Sequence, residues 1–94
     1  MNQNSKIIRR LSGLLDMSAQ QLQEVPIVEL AGTKRVLIEN HQGVVSYSSE
    51  SICVLVKFGK IAVSGSELEI CHISRYQLVI TGNISGVQIE RGFA

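Results

Sequence analysis

The chain has 94 residues, which fits a single domain with a core of modest size. Apolar residues make up 45% of it and charged residues 18%, a balance that excludes an intrinsically disordered chain. The formal net charge of +1 excludes a strong overall attraction to nucleic acid or anionic lipid, because both require clustered positive charge.

Cysteine content and the lack of long apolar runs indicate in which cellular compartment the protein is expected. The chain has only Cys53 and Cys71, far fewer cysteines than the disulfide frameworks of small secreted domains contain. No apolar run reaches the length of a membrane span, and the N-terminus lacks the uninterrupted apolar stretch of a signal peptide. We therefore expect a soluble protein in the reducing cytoplasm, with both cysteines serving as packing residues.

The N-terminal segment predicts a basic amphipathic helix. In residues 5–16, aliphatic residues recur at spacings that put them on one helical face, whereas Lys6, Arg9 and Arg10 lie elsewhere around it. Such a helix can pack on a sheet or rest on an anionic membrane surface. We favour packing, since the apolar stripe of a surface helix usually faces the protein's own core.

A second, short helix is expected before Pro26. Ser18 and Gln21 have the spacing of a capping box, in which the two side chains bond amides of the first helical turn. Pro26 ends this helix because its ring cannot continue the hydrogen-bond ladder. The helical part is therefore expected over residues 1–25, packed on a β domain of residues 26–94 within one globular unit.

From Pro26 onward, apolar residues alternate with a period of two, which is the pattern of β-strands. The connections are too short for crossover helices, so neighbouring strands should be antiparallel. The expected fold class is mostly β: an antiparallel rolled sheet, small barrel or sandwich with one or two short N-terminal α-helices. The predicted strands are 27–31, 35–39, 44–48, 51–58, 60–64, 67–72, 76–81 and 86–90.

A weak internal repeat leaves a second fold open. Alternating apolar residues precede and follow a glycine, most clearly around Gly65 and less regularly around Gly32 and Gly82. Each glycine would supply a bend or a positive φ. A short stacked β-solenoid would produce such repeats and is the alternative fold, although their irregular spacing argues against it.

The longest predicted strand, 51–58, is apolar on both faces. Cys53 and Leu55 point away from the face that carries Ile52 and Val54. A sheet with one solvated face would carry polar residues there, so something must cover this second face. The N-terminal helix is one candidate cover, and a partner chain is the other. Neighbouring strands extend the second face with Ala62, Cys71 and Val79.

Catalytic, metal and cofactor sites find no support in the sequence. His41 lies in a hairpin-type turn without a recognisable nucleophile, so we interpret it as a turn imidazole bonded to the backbone. Cys71 and His72 are adjacent, which directs their side chains to opposite faces of a strand, and no metal-binding spacing completes them. Phosphate-binding glycine motifs and aromatic stacking motifs are also absent from the sequence. We therefore expect no enzyme, metal, cofactor or nucleic-acid partner.

The stretch Leu37 to Val44 is the most distinctive in the chain. Together with Tyr47 and Ile52, and with the glycine-centred pattern that follows, it resembles the YabP/YqfC family of sporulation proteins and is closer to the YqfC branch. The resemblance covers nearly the whole chain. Gln42 departs from it, because a basic residue is expected there in this family. If that residue contacts an acidic partner, the contact is weaker here.

The resemblance implies a role in endospore formation in the mother cell, alongside a membrane protein and without enzymatic activity. The expected place is the mother-cell cytoplasm, with peripheral contact at the forespore membrane through the N-terminal helix. Our leading interpretation is a non-catalytic assembly protein that docks on a membrane-protein partner through the basic helix, the turn of residues 39–43, or both. The candidate interaction residues are Lys6, Arg9, Arg10, Glu39, Asn40, His41, Gln42 and Gly43.

Other functions stay open beside this one. The first is a homo-oligomeric structural protein, in which sheet edges or the second apolar face pair between identical chains. The second is a small-ligand or enzyme domain that uses His41 in the mouth of a β-barrel. A molecular mass that rises with protein concentration would support the homo-oligomer. A folded His41→Ala variant that keeps biological activity would argue against the ligand or enzyme domain.

Overall fold

The computed structural model describes residues 25–92, which form six antiparallel β-strands in the order β1-β2-β6-β5-β4-β3. The strands are β1 (Ile27–Ala31), β2 (Arg35–Glu39), β3 (Val44–Tyr47), β4 (Ser51–Val56), β5 (Gly59–Ile73) and β6 (Gln77–Arg91). The expected antiparallel β fold is confirmed for these residues, and the β-solenoid alternative is wrong because all of the pairing is antiparallel. The helices predicted before Val25 lie outside the described residues.

Strand boundaries differ from the sequence prediction in the second half of the chain. The first strands match closely, with β3 and β4 ending slightly earlier than predicted. The predicted strands 60–64 and 67–72 are parts of the single strand β5. The predicted strands 76–81, apart from Tyr76, and 86–90 are parts of β6. These strands pair across several register shifts. A bulge interrupts the alternation of side chains much as a turn does, but it does not end the pairing.

The long β5–β6 hairpin bends sharply and so folds the sheet into two packed layers. Glu39 at the end of β2 lies opposite Gln77, near the start of β6. Val44 at the start of β3 pairs with Val54 of β4, which pairs with Ile61 of β5, which pairs with Ile89. Val44 therefore lies level with Ile89, near the end of β6. A straight β6 would hold these two places about 40 Å apart. The short chain from Glu39 to Val44 reaches at most about 18 Å, so the hairpin must fold back on itself.

The two layers share this hairpin. One layer contains β1, β2, the first part of β6 and the last part of β5, and the other contains the first part of β5, the last part of β6, β4 and β3. At the bend, the β1–β2 turn bonds to β6 and the β3–β4 turn bonds to β5. These backbone bonds, of 2.7 to 3.1 Å, join Gly82 N to Lys34 O, Ile84 N to Thr33 O, Gly65 N to Glu50 O and Leu68 N to Ser49 O. The sheet is open, because its edge strands β1 and β3 do not pair with each other.

Gly65 and Gly82 allow the backbones to approach closely at the bend. A Cβ at Gly65 would collide with the carbonyl oxygen of Asn83, and a Cβ at Gly82 would lie 2.6 Å from the carbonyl oxygen of Glu67. Gly82 also has a φ of +140°, a conformation that residues with a Cβ rarely adopt. The predicted bend at these glycines is therefore observed, within continuous strands.

The space between the layers holds one aliphatic core. Side chains alternate along each strand, so those on one face of β2, β4, β5 and β6 all point into it. The fully buried core residues are Val36, Ile38, Ile52, Val54, Val56, Ile61, Val63, Leu68, Leu78 and Ile80. Each such side chain contributes roughly 1.5–3 kcal/mol through burial, which makes this core the main source of stability.

The opposite face of the sheet, here called the outer face, is also partly apolar. On the outside of one layer, Leu37 is half-buried and Val79 is only 5% exposed. On the outside of the other layer, Cys53 and Leu55 are half-buried. Cys71 is exposed, so the packing role expected for it is wrong. Residues 25–92 place no further strand over this face. Its cover by the N-terminal helix or by a partner therefore stays a prediction.

Candidate functional site

Residues 40–43, here called the crossing, connect the two layers. They join the end of β2 in one layer to the start of β3 in the other, and these strands do not pair with each other. The predicted hairpin turn is therefore wrong. Asn40 has a φ of +63° and Gly43 a φ of +122°, values that a tight hairpin and a layer crossing can both use. The residue types thus indicated a reversal of the chain without showing which strands it joins.

Hydrogen bonds anchor the crossing to three other parts of the chain. The backbone bonds are Asn40 N to Tyr76 O at 2.7 Å, Gln42 N to Leu55 O at 2.7 Å and Leu55 N to Gly43 O at 2.8 Å. The Asn40 side chain adds a bond from Nδ2 to the carbonyl oxygen of Val25, at 2.8 Å. The crossing is therefore tied to the start of β1, to the end of β4 and to the β5–β6 turn.

His41 is 8% exposed, and both of its ring nitrogens bond to backbone groups. The Gly43 N–H donates to Nδ1 at 3.0 Å, which leaves the proton of the neutral ring on Nε2. Nε2 lies 2.8 Å from the carbonyl oxygen of Ser74 and donates to it. Both bonds are to the backbone, as the sequence interpretation expected, and together they clamp the crossing to the β5–β6 turn. Neither nitrogen is left to move a proton or to hold a ligand.

Exposed side chains lie on the crossing and on or beside the β5–β6 turn that is bonded to it. We call Gln42, Ile73, Arg75 and Tyr76 together the turn surface. Ile73 is 53% exposed and Tyr76 is 58% exposed, so two large side chains stand in solvent beside this turn. The Arg75 guanidinium lies 5.3 Å from the centre of the Tyr76 ring, within the range of a cation–π contact. Tyr and Arg dominate protein–protein interaction hot spots, so this surface is suited to docking.

The predicted interaction residues divide by exposure. Glu39 and His41 are buried, and Asn40 and Gly43 are half-buried, so these four residues support the crossing from within. Gln42 is exposed and belongs to the turn surface. The remaining candidates lie outside the described residues: Lys6, Arg9 and Arg10.

Glu39 lies at the end of β2, opposite Gln77, and is only 4% exposed. Gln77 Nε2 donates to its Oε2 at 3.1 Å. Its Oε1 is buried and has no hydrogen-bond partner within the described part of the chain. Because the carboxylate is covered, Glu39 is not a surface contact in this structure.

Sequence reasoning missed Ile73, Arg75 and Tyr76. The alternation of apolar residues includes Tyr76 in the predicted strand 76–81, whereas the structure places it in the turn before β6. The nearness of this turn to the crossing depends on the pairing of β2 with β6 and on the bond from His41, both of which are long-range. The local signal, a tyrosine beside an arginine in a turn, is too common to mark a site.

A polar network on the outside of the bend is a second cluster of interest. Lys34 Nζ donates to Asn83 Oδ1. Asn83 Nδ2 in turn donates to Glu67 Oε2 at 3.2 Å and to Ser66 Oγ at 3.3 Å. These exposed groups satisfy one another across the strands, so the network reinforces the bend.

Metal and thiol chemistry has no centre in residues 25–92. No three His, Cys, Asp or Glu side chains lie close enough together there to hold a metal ion. Cys53 is a half-buried thiol and Cys71 an exposed one, and they are not bonded to each other. Among the same residues, no helix has the length and apolar character to cross a membrane.

The described residues define a small, two-layered antiparallel β protein with exposed side chains on a hydrogen-bonded turn. Its sequence belongs to the YabP family, whose sequence model matches residues 23–92. The chain is 24% identical to the uncharacterized protein YqfC of Bacillus subtilis (strain 168) over 78 residues. The matched region covers 83% of this chain and 84% of that protein. No solved structure matches it. The family resemblance noted in the sequence is therefore confirmed.

Proposed function

We propose that the protein is a non-catalytic assembly protein of endospore formation, which acts in the mother cell by docking on a membrane-protein partner. The observation that carries this proposal is the turn surface, where Ile73 and Tyr76 are exposed on a turn that His41 holds in place. Membership in the YabP family supports the sporulation setting.

Rigidity is the first argument for docking at this surface. The β5–β6 turn bonds to the crossing through Asn40 N and through His41 Nε2, so the exposed side chains stand on a fixed backbone. A surface that is ordered before binding loses less conformational entropy when a partner arrives. Tyr76 has few rotatable bonds and offers a large contact area, which lowers this cost further.

Charge is the second argument. The family resemblance leads us to expect a basic residue where this chain has Gln42. Arg75 lies on the same surface, and its contact with the face of the Tyr76 ring leaves guanidinium N–H groups available to a carboxylate. In this proposal Arg75 supplies the positive charge that Gln42 lacks, and the partner presents apolar side chains beside an acidic one.

The N-terminal segment adds a weaker membrane contact to the proposal. Its residues Lys6, Arg9 and Arg10 would be drawn to an anionic membrane surface by about 1 kcal/mol each. That attraction alone gives marginal binding, so the main contact in this proposal is the protein partner.

A ligand or enzyme site around His41 is not favoured by the geometry. That function required a barrel mouth and an available imidazole, whereas the sheet is open and both ring nitrogens are bonded to the backbone. The non-catalytic role proposed here uses His41 only as a structural clamp.

The test is genetic, in the spore-forming organism that encodes this chain. Deleting the gene should lower the yield of heat-resistant spores, and the wild-type gene should restore it. The double variant Ile73→Ala and Tyr76→Ala should fail to restore it, because it removes the apolar contact of the turn surface. Tyr47→Ala is the matched control, since Tyr47 is 55% exposed but lies on β3.

Protein level and circular dichroism should be the same for both variants, which separates a lost contact from a lost fold. Cell fractionation should find the wild-type protein with the membranes, and the double variant in the supernatant. Normal spore yield without the gene would disprove the sporulation role. Full rescue by the double variant would disprove docking through the turn surface.

A further inference from the structure

The bent hairpin leaves several strand edges unpaired among the described residues. They are the outer edges of β1 and β3, the last part of β5 and the last part of β6. An unpaired edge presents backbone N–H and C=O groups that can pair with another strand. The edges differ in the features that prevent such pairing.

β1, β3 and the last part of β5 are protected. β1 follows Pro26, which has no N–H, and carries the charged residue Glu29 at its centre. β3 is short and bulged, and the last part of β5 is bulged twice. Bulges twist an edge away from a new strand. They lie between Val44 and Ser46, between Ser66 and Glu69, and between Ile70 and His72.

The last part of β6 carries two charged residues near its end, Glu90 and Arg91, but it has neither a bulge nor a proline. Residues 86–91 pair with residues 59–64 of β5 in unbroken register, so their backbone is regular. No described residue pairs with their other edge. Val87 is half-buried and Ile89 is 59% exposed, which adds apolar surface to the unpaired backbone. Among the strand edges of residues 25–92, this one is therefore the best suited to accept a strand.

We propose that two copies of the chain pair through this edge, antiparallel, with Gln88 of each copy opposite Gln88 of the other. Val87 then lies opposite Ile89 of the second copy, and both are on the core-facing side of the sheet. Glu90 lies opposite Gly86, so no like charges face each other. The strand is therefore self-complementary, which identifies a second copy as the occupant.

Neighbouring registers fit less well. Centring the pair on Ile89 places Val87 opposite Arg91 of the second copy. Centring it between Gln88 and Ile89 places core-facing side chains opposite outer ones, because side chains alternate along a strand. An edge of this length buries less surface than a standard stable interface, so the dimer should form reversibly, with its population rising with concentration.

Disulfide trapping tests the register in the full-length chain. The native thiols are first removed by Cys53→Ala and Cys71→Ser. In that background Gln88→Cys should cross-link to itself, since directly opposed Cβ atoms lie about 4.5–5.5 Å apart. Glu90→Cys is the matched control: it is exposed on the same face of the same strand but opposes Gly86 of the second copy.

We expect mild oxidation to trap the Gln88→Cys dimer at least about tenfold faster than the Glu90→Cys dimer, because only the former brings the sulfurs within bonding distance. Equal trapping of both would overturn the proposed pairing. Fast trapping of Ile89→Cys with slow trapping of Gln88→Cys would overturn the proposed register.

Light scattering over a range of concentrations tests the dimer without cross-links. Ile89→Lys should make the chain monomeric throughout, because it puts a charge against Val87 of the second copy. Tyr47→Lys, an equally exposed position on the bulged β3 edge, should leave the dimer unchanged. A wild-type chain that is monomeric up to millimolar concentration would overturn the proposal. The double variant Ile73→Ala and Tyr76→Ala leaves the β6 edge intact. The tests of dimer formation and of docking are therefore independent, and either proposal can be overturned without the other.

Discussion

At the crossing from β2 to β3, side chains supply hydrogen bonds to backbone groups that strand pairing supplies elsewhere in the sheet. His41 accepts a bond from the Gly43 N–H and donates one to Ser74 O, and Asn40 Nδ2 donates to Val25 O. These bonds satisfy backbone groups that lie outside the ladder of the sheet. The polar residues that stand out in the sequence of this turn are therefore structural, and they position the exposed side chains next to them.

Replacing His41 tests this structural role. His41→Ala should lower the free energy of unfolding by about 2–4 kcal/mol, because it removes a buried ring and leaves the Gly43 N–H and the Ser74 carbonyl without their partner. His41→Asn keeps an acceptor near the position of Nδ1 and should lose about half as much. Urea unfolding followed by circular dichroism measures both values. A loss below about 0.5 kcal/mol for His41→Ala would show that the clamp does not hold the two turns together.

Among the elements, the β5–β6 hairpin determines the architecture. Both strands take part in both layers, and the bulges between them allow the bend without breaking the pairing. Core-facing side chains of β5 occur on both sides of the bend: Ile61 and Val63 lie before it, and Ile70 after it packs against the same core. One continuous sheet can therefore enclose its own core.

Alanine substitutions at two glycines of β6 test the bend. Gly82→Ala should destabilise the fold by about 3 kcal/mol or more, because the new Cβ meets the Glu67 carbonyl oxygen at 2.6 Å and the φ of +140° is strained for alanine. Gly86→Ala is the matched control in the same strand, where nothing lies within 4 Å of the added Cβ. It should change stability by less than about 1 kcal/mol. Equal losses in thermal unfolding would contradict the steric account.

The sequence predicts most of these strands, but not the bulges within them or the contacts between their turns. Alternating aliphatic residues identify β1, β2 and β4 because the local pattern depends only on which face each residue takes. The strand breaks predicted near Gly65 and Gly82 are bulges, since a glycine marks a turn and a bend equally well. The turn surface escaped prediction for a related reason. His41 and Ser74 meet only after the chain has folded, and no local pattern encodes that contact.

On the scale of the whole molecule, the two proposed interfaces are compatible. The turn surface is formed by the crossing and the β5–β6 turn, and the proposed dimer edge is residues 86–91 of β6. A dimer paired through β6 would carry two turn surfaces. Two linked sites bind a clustered membrane partner more tightly than one site does, without any new contact. Weak self-association and docking could thus reinforce each other at a membrane.

The outer face gives the last prediction at this scale. Leu37 and Val79 make it apolar on one layer and Leu55 on the other, and the helix predicted over residues 5–16 is the cover that we favour for one of these layers. Deleting residues 1–17 should then expose this face, increase the fluorescence of an apolar dye and cause association beyond the dimer. Light scattering and dye binding on the full and shortened chains measure these effects.

A charge variant separates this packing role from membrane binding. Replacing Lys6, Arg9 and Arg10 with glutamine leaves the apolar stripe intact, so it should not reproduce the effects of the deletion. The full chain should also bind anionic vesicles only weakly, because three basic residues supply about 3 kcal/mol at most. Strong vesicle binding that both the deletion and the charge variant abolish would contradict packing. In that case the N-terminal segment recruits the protein to the membrane directly, and the outer face must be covered by another chain.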